Sequence, residues 1–225
     1  MDEDQLKEAL EKLLPDLLMA KLADLGIGPE TKAVDTELDP EQEEQVDEVL
    51  EATEAAERSG IEFDPWEYIT LGNAAKLRGK TFPAESYYRE ALRLFLKIGN
   101  QTGEAVSLHN LGRIAYARTD YDEAESLFNE ALAICRNIGD RDNEGRAQVE
   151  LGLIAYMRGD LEEAERHSNE SLTINREIGN RIGEVNGMVN LGFVAHARGE
   201  YDKAKRLLNE SLTNARELDD QYSMQ

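Results

Sequence analysis

One dipeptide recurs at a constant interval along this chain. Leu-Gly stands at residues 71–72, 111–112, 151–152 and 191–192, so four successive segments share a period of 40 residues. A period of roughly 20 to 50 residues is typical of repeat proteins, in which each unit packs against its neighbours along the chain. The sequence therefore predicts a solenoid or an array of similar units.

The apolar residues of each unit are spaced as in α-helices. In the second unit one stripe contains Leu108, Leu111, Ile114 and Ala115, and the other contains Tyr121, Ala124, Leu127, Phe128, Ala131, Leu132 and Ile134. Two helices per unit are therefore expected, joined by a turn. Gly79, Gly159 and Gly199 stand at this turn, where glycine tolerates a left-handed backbone. The second unit has Thr119 instead, and we expect it to lose some stability there.

Small residues also recur inside the expected helices. The glycine of Leu-Gly lies within the first helix, where it costs about 1 kcal/mol relative to alanine. Close packing of a neighbouring helix is the expected compensation. The second helix carries a recurring alanine, expected for the same reason, at Ala84, Ala124, Ala164 and Ala204.

The order of these features resembles the tetratricopeptide repeat (TPR). After Leu-Gly comes a variant of Gly-Asp-Tyr-Asp-Glu-Ala, then an aromatic residue and Ala-Leu, over about residues 62 to 217. The usual repeat has about 34 residues. The 40-residue variety seen here closes with Ile-Gly-Asp or Ile-Gly-Asn at 98–100, 138–140 and 178–180. It is similar to the repeats of the Pins/LGN adaptors and of kinesin light chain.

This resemblance implies an all-α fold, an α-solenoid of four helix-turn-helix repeats that form a right-handed superhelical cradle. The repeats would span about 62–100, 101–140, 141–180 and 181–217, with an acidic, partly flexible helical region at 1–60 and a short tail at 218–225. It also implies an adaptor or scaffold that binds a peptide or a helical segment of a partner protein in a concave groove. Such a protein is not an enzyme and needs no cofactor.

The groove of these relatives is lined mainly by the first helices, and the corresponding stripe of this chain is rich in polar and aromatic side chains. Asn110 and Asn190 stand where an asparagine of the resembling adaptors binds the ligand backbone, whereas Thr70 and Glu150 replace it in the other two repeats. The lysines and asparagines of a cochaperone carboxylate clamp are not reproduced, so a chaperone tail is not expected. The expected groove residues are Asn73, Lys76, His109, Asn110, Arg113, Tyr116, Arg146, Glu150, Tyr156, Asn186, Asn190 and His196.

Residues 1–60 do not fit the repeat and carry 19 acidic against 5 basic residues. The leucines between Leu6 and Leu25 predict two short helices, because Pro15 suits the first turn of a helix better than its interior. A further helix is expected from Pro40 to Arg58, with Asp39 and Gln42 as a capping pair. The acidic segment is interpreted either as a solvated helix face behind a flexible link or as a segment that docks on the groove.

Charge and hydropathy exclude several classes of function. A formal charge of −22 disfavours nucleic acid and anionic lipid as partners, and no apolar stretch approaches the roughly 18 residues of a membrane helix. The acidic start Met1–Asp4 is unlike a signal peptide, so a cytoplasmic protein is expected. Nine lysines against sixteen arginines, in so acidic a chain, also resemble the composition of salt-loving archaea.

Residues suited to catalysis or metal binding are few. His109 and His196 lie two repeats apart, and Cys135 follows Ile134 in a second helix, where it is expected to be a buried apolar residue. The sequence also lacks the usual phosphate-binding glycine loops. No catalytic site, metal or cofactor is therefore predicted.

Two alternatives concern the repeat surface. Arg78, Arg118, Arg158 and Arg198 end the first helices, where they are interpreted as structural cations paired with acids, or else as ligands for an anion. Leu207, Leu208 and Leu212 lie in the last repeat helix, with few residues left to cover them. The alternative function is therefore self-association into a homo-oligomer, through this end or through the leucine-rich N-terminus.

Overall fold

The computed structural model describes residues 3–31 and 37–222, and all regular secondary structure in these ranges is α-helical. The chain forms two compact units, Met1–Ser107 and Leu108–Gln225. The helices are α1 (Glu3–Asp24), α2 (Pro40–Arg58), α3 (Pro65–Leu77), α4 (Thr81–Ile98), α5 (Gln101–Ala117), α6 (Tyr121–Ile138), α7 (Arg141–Arg158), α8 (Leu161–Ile178), α9 (Arg181–Ala197) and α10 (Tyr201–Tyr222). Consecutive helices pack against each other from α1 to α4 and from α6 to α10, so the predicted all-α repeat fold is confirmed.

The Leu-Gly glycines lie where the two helices of a repeat leave no space for a Cβ. A Cβ on Gly72 would stand 2.4 Å from Cε1 of Tyr88, and one on Gly112 would stand 2.8 Å from Cε1 of Phe128. Ser168 and Leu208 hold the same position opposite the glycines of the third and fourth repeats. The predicted close packing is therefore confirmed, and the side chain 16 residues after each glycine is the one that fills the space.

The turn between the two helices of a repeat is left-handed in all four repeats. Gly79, Gly159 and Gly199 have φ values of 67°, 81° and 79°, and Thr119 takes the same conformation with φ 62°. The Thr119 hydroxyl donates a hydrogen bond to the carbonyl of Arg118 at 2.6 Å, and the side chain is exposed. A β-branched residue here is strained, as expected from the sequence, because its Cβ approaches backbone atoms that glycine avoids.

The N-terminal leucine-rich segment is one helix, so the prediction of two short helices was wrong. α1 continues through Pro15, which is buried. Leu18 and Leu22 follow on the buried face, with 6% and 0% of their surface exposed. Packing of this face offsets the single backbone hydrogen bond that the missing proline N–H removes.

α2 begins and ends as predicted. The Asp39 side chain accepts a hydrogen bond from the backbone N–H of Gln42, and Gln42 Oε1 accepts one from the N–H of Asp39, both at 2.9 Å. The predicted stripe is buried and extends to Ala56. Its members are Val46, Val49, Leu50 and Thr53.

α2 also reproduces the buried pattern of a second repeat helix. The four buried residues of the α2 stripe have the same relative spacing as Ala84, Tyr87, Tyr88 and Ala91 of α4. Asp47 directly follows Val46, as Glu125 and Glu165 follow the recurring alanines of α6 and α8. The repeat-like packing therefore starts earlier in the chain than the Leu-Gly pattern indicates.

Replacing Thr119 by glycine should stabilise the chain. The left-handed conformation costs a β-branched residue about 1 to 3 kcal/mol, whereas the extra freedom of glycine in the unfolded chain costs about 0.5 to 1 kcal/mol. We expect Thr119→Gly to raise the free energy of unfolding by about 1 kcal/mol, as measured by urea denaturation. The reciprocal variant Gly159→Thr is the matched control and should lower it. A Thr119→Gly chain no more stable than the parent would contradict this account of the turn.

Candidate functional site

In the second unit the expected groove residues lie along the first helices α5, α7 and α9, and we call this surface the first-helix face. Glu150 on α7 brings two residues of α5 together there. Its Oε1 lies 3.6 Å from Nε of Arg113 and 4.0 Å from Nε2 of His109. All three side chains are largely buried, with 15% to 25% of their surface exposed. Glu150 thus supplies a charge that compensates Arg113 at a position where the second and fourth repeats have asparagine.

Aromatic side chains occupy the neighbouring part of the first-helix face. The ring centroids of Tyr156 on α7 and Phe193 on α9 are 5.9 Å apart, and Phe193 is 39% exposed. The ring centroids of Tyr116 and Tyr121 are 5.6 Å apart. Burial raises the pKa of the Tyr116 hydroxyl, and the proximity of Tyr121 and Glu150 raises it further. These residues form a surface that combines hydrogen-bonding groups with accessible aromatic carbon.

Phe193 was not among the expected groove residues, although the sequence contains the signal that identifies it. It stands two residues after the leucine of Leu-Gly, in the same position as Asn73 and Arg113. Leu153 holds this position in the third repeat and is half-buried. The expected set includes Asn73 and Arg113 at this position and omits Phe193.

The asparagines of the expected set differ in their surroundings. Asn186 is exposed and Asn110 is half-buried. Asn190 is only 8% exposed, and its Nδ2 donates a hydrogen bond to the carbonyl of Val149 on α7 at 3.0 Å. The structure therefore uses Asn190 to join α9 to α7.

The remaining members of the set in this unit also lie on the first helices. Nε of Arg146 lies 3.1 Å from Oδ2 of Asp142, one helical turn away. The exposed His196 packs against the ring of Tyr201, with centroids 5.5 Å apart.

Asn73 and Lys76 belong to α3 in the first unit. Asn73 is 4% exposed, and its Nδ2 donates hydrogen bonds to the carbonyl oxygens of Gly28 at 2.8 Å and Pro29 at 3.2 Å. The Tyr88 hydroxyl donates to Asn73 Oδ1 at 2.8 Å and so fixes the orientation of the amide. The backbone that follows α1 therefore covers Asn73, while Lys76 is half-buried.

The recurring arginines Arg78, Arg158 and Arg198 bind acids of the preceding second helix. Arg78 pairs with Asp47 and Glu43 of α2, at 3.0 and 2.8 Å. Arg158 binds Asp122 and Glu125 of α6, and Arg198 binds Glu165 of α8. Their predicted structural role is confirmed. The Arg78 contact, with help from Lys80, holds the pKa of the Asp47 carboxyl below its usual range.

A polar network that the sequence analysis did not identify lies between α7 and α8. Gln148 is fully buried, its Nε2 donates to Oε2 of Glu170 at 2.6 Å, and its Oε1 lies 2.5 Å from Nδ1 of His167. Arg136 connects Glu170 to Glu144, at 3.1 Å from each carboxylate. Gln148 and His167 stand at the positions that Leu108 and Leu127 hold in the second repeat, so polar side chains replace apolar ones there.

His167 is held in its neutral form by this network. Its Nδ1–H donates to Gln148, and its Nε2 accepts from Arg166 Nη2 at 2.7 Å. Burial lowers the pKa of His167, the charge of Arg166 lowers it further, and nearby carboxylates such as Glu163 and Glu170 oppose the shift. A proton added at Nε2 would break the contact with Arg166.

Cys135 is buried, as expected for an apolar residue in a second helix. Burial raises the pKa of its thiol to about 12, which is the opposite of what a nucleophilic cysteine needs. Within residues 3–31 and 37–222, no group of three or more His, Cys, Asp or Glu residues could hold a metal ion. None of the described helices has the length and apolar character needed to cross a membrane.

Comparisons with known proteins agree with this architecture. A sequence model described as the MalT-like TPR region matches residues 62–223. Similar solved structures include BtubC (BKLC) from P. vanneervenii, with 19% identity over 80% of this chain and 74% of that chain and a TM-score of 0.61. TPR-like repeats of a putative kinesin light chain from Podosopora anserina are 17% identical over 92% of this chain and 98% of that chain, with a TM-score of 0.65. The apo form of RapI is 16% identical over 90% of this chain and 67% of that chain, with a TM-score of 0.63. No curated protein gives a significant match. At these identities the likeness to solved structures shows the fold alone.

The state of His167 predicts a pH-dependent stability. The pKa of His167 is lower in the folded chain than its ordinary value of 6.5. Below pH 6.5 the histidine of the unfolded chain therefore takes up a proton more readily than that of the folded chain, and this favours unfolding. The contribution of His167 to stability is thus complete above pH 6.5 and is lost as the pH falls. Between about pH 7.5 and pH 5.5, the free energy of unfolding should fall more steeply for the parent than for His167→Gln. Urea denaturation at both values measures this difference, and data at about pH 8, where the histidine is neutral in both states, give the effect of the substitution alone. Parallel pH profiles would contradict the assignment.

Proposed function

Because the chain belongs to the MalT-like TPR family, whose repeats typically act as protein-interaction scaffolds, we propose that it is an adaptor that binds a segment of a partner protein on its first-helix face. The observation that carries this proposal is the accessible Tyr156–Phe193 pair, which lies on the same series of helices as Asn110 and Arg113. An exposed aromatic group bordered by hydrogen-bonding groups has the composition of a protein-binding surface.

The chemistry of the first-helix face indicates the kind of segment it binds. Asn110 and Asn186 offer both a donor and an acceptor, which suits the backbone amides of an extended segment. Tyr156 and Phe193 suit an apolar or aromatic anchor side chain, because their rings already lie together at 5.9 Å. The chain charge of −22 attracts basic segments at long range and so favours a ligand with lysine or arginine around its anchor.

Two expected groove residues have a smaller role in this proposal than the sequence analysis assigned to them. Asn73 is covered by the backbone of Gly28 and Pro29, and Asn190 already donates to Val149. Substituting either one would disturb packing as well as binding. Asn110, Asn186 and Phe193 are therefore the residues whose substitution tests binding most cleanly.

Peptides selected from a random display library against the full chain provide the test. We expect Asn110→Ala and Phe193→Ala to weaken the Kd of selected peptides by about tenfold each, because each removes a side chain that the proposal assigns to ligand contact. Fluorescence anisotropy with labelled peptides measures the Kd. Asn129→Ala on α6 and Leu96→Ala on α4, at exposed positions of second helices, are the matched controls. Peptides that bind both first-helix variants as tightly as the parent would defeat the proposal.

Self-association is a second candidate, and the exposure of α1 favours it. Leu13 and Leu17 lie one turn apart and are 59% and 60% exposed, whereas Leu18 and Leu22 are buried. Two adjacent exposed leucines on one face are suited to pairing with another copy. The candidate concerns assembly, and it is compatible with binding on the first-helix face.

Light scattering behind a sizing column tests this candidate. If α1 mediates assembly, the parent should exceed the chain mass of 25.3 kDa, and the double variant Leu13→Glu/Leu17→Glu should return to it. Leu96→Glu/Ile98→Glu, a pair of exposed residues on α4, is the matched control and should leave the mass unchanged. A parent that already has the mass of one chain would rule out self-association.

A further inference from the structure

The second helices of the middle repeats bind the following first helix through a repeated three-part contact. Glu125 on α6 binds Arg158 near the end of α7 at 2.6 Å, and Arg136 lies 3.1 Å from Glu144 near its start. Between these ion pairs, Leu132 packs in a cluster with Ala147 and Leu151 of α7. The two helices are antiparallel, with an acid, a leucine and an arginine of α6 on the contact face.

α8 makes the same contact with α9. Glu165 binds Arg198, Arg176 lies 3.6 Å from Glu184, and Leu172 packs with Met188 and Leu191. Leu132 and Leu172 are only 5% and 8% exposed. The positions of the acid, the leucine and the arginine are separated by seven and then four residues, which places all three on one side of a helix.

The same positions of α10 carry Lys205, Leu212 and Arg216, which we call the outer face of α10. Leu212 is 48% exposed, whereas its counterparts are buried, and both Lys205 and Arg216 are exposed. The leucine and the arginine are retained, but lysine replaces the acid. The outer face of α10 therefore keeps the apolar and basic residues of this contact, and its charge is reversed where Lys205 replaces the acid.

The replacement determines which helix can dock. A further repeat of the kind found here would bring an arginine against Lys205, because Arg78, Arg118, Arg158 and Arg198 end the first helices. Two like charges in contact are unfavourable, whereas an acid at that position would pair with the lysine. The opposite end is unchanged, since Arg216 still requires the acid that Glu144 and Glu184 provide.

We infer that the outer face of α10 binds an amphipathic helix of a partner protein that carries an acid near each end and apolar residues between them. The two acids would occupy positions that correspond to Glu144 and Arg158 of α7, which are 14 residues apart. This spacing is about 21 Å along a helix. Such a helix would dock antiparallel to α10 and cover Leu212, as α7 covers Leu132. This surface is separate from the first-helix face and does not depend on the function proposed for it.

Two synthetic peptides provide a matched pair of probes. One is residues 141–158 of this chain, which end in arginine, and the other is the same peptide with Arg158→Glu. The second peptide is more negative, so long-range repulsion by a chain of charge −22 acts against it. Tighter binding of the glutamate peptide would therefore report the local contact with Lys205.

We expect the glutamate peptide to bind the full chain about threefold to tenfold more tightly than the arginine peptide, as measured by fluorescence anisotropy. Lys205→Glu should reverse this preference. Leu212→Asp should weaken both peptides by at least about tenfold without loss of helicity, because the leucine is exposed in the free chain. Leu96→Asp, at a similarly exposed residue of α4, is the control and should change neither affinity.

The other outcomes overturn the inference. Equal affinities for the two peptides would show that Lys205 does not select the charge of the bound helix. Affinities that Leu212→Asp leaves unchanged would show that the peptides do not bind on the outer face of α10. Absence of binding would have the same meaning. A parent that is a dimer by light scattering and that Leu212→Asp converts to a monomer would show that a second copy, rather than a partner helix, occupies the face.

Discussion

The close approach of two helices at a glycine is the contact on which each repeat depends. At Gly72 and Gly112 the space of a Cβ is filled by the rings of Tyr88 and Phe128, so the second helix can lie directly against the first. The glycine lowers helix propensity by about 1 kcal/mol, and the buried ring offsets this cost. Because the side chain that fills this space follows its glycine by 16 residues in every repeat, the turn length is constrained as well. This requirement explains why the turn in the second repeat keeps a left-handed backbone even where threonine replaces glycine.

The contact between repeats uses charge as well as packing. Arginines at the ends of first helices bind acids of the preceding second helix, and α2 provides such acids through Asp47 and Glu43 although it lies outside the 40-residue pattern. At the other end of the chain, Lys205 occupies the position of the acid on α10. α2 and α10 therefore both have the form of a second repeat helix, but only α2 retains the charge that accepts an arginine. The apolar pattern sets how the helices stack, and the charges at its edges determine which helix each surface accepts.

The sequence predicted the fold well because its strongest signals are local. These signals are the 40-residue period, the capping pair of Asp39 and Gln42, and the small residue inside each helix. Each of them reflects contacts within one helix or between helices that are neighbours in the chain. The features that it did not predict depend on distant partners or on burial. Pro15 stays inside α1 because Leu18 and Leu22 are buried on the same helix, and Asn73 is covered by a backbone segment more than 40 residues away. Phe193 belongs to the first-helix face through its position and not through its polarity, and the Gln148–His167–Glu170 network replaces a core that other repeats fill with apolar groups.

The functional account depends on the different roles of the two kinds of helix. Second helices bury their recurring alanines against the first helices, while the first helices α5, α7 and α9 leave Asn110 and Tyr156 half-buried and Phe193 exposed. Chemical-shift mapping of the labelled chain with a bound library-selected peptide tests this division most directly. The account predicts that the largest amide shifts fall on α5 from Leu108 onward, on α7 and on α9. Shifts concentrated on α6 and α8, with the first helices unaffected, would contradict it.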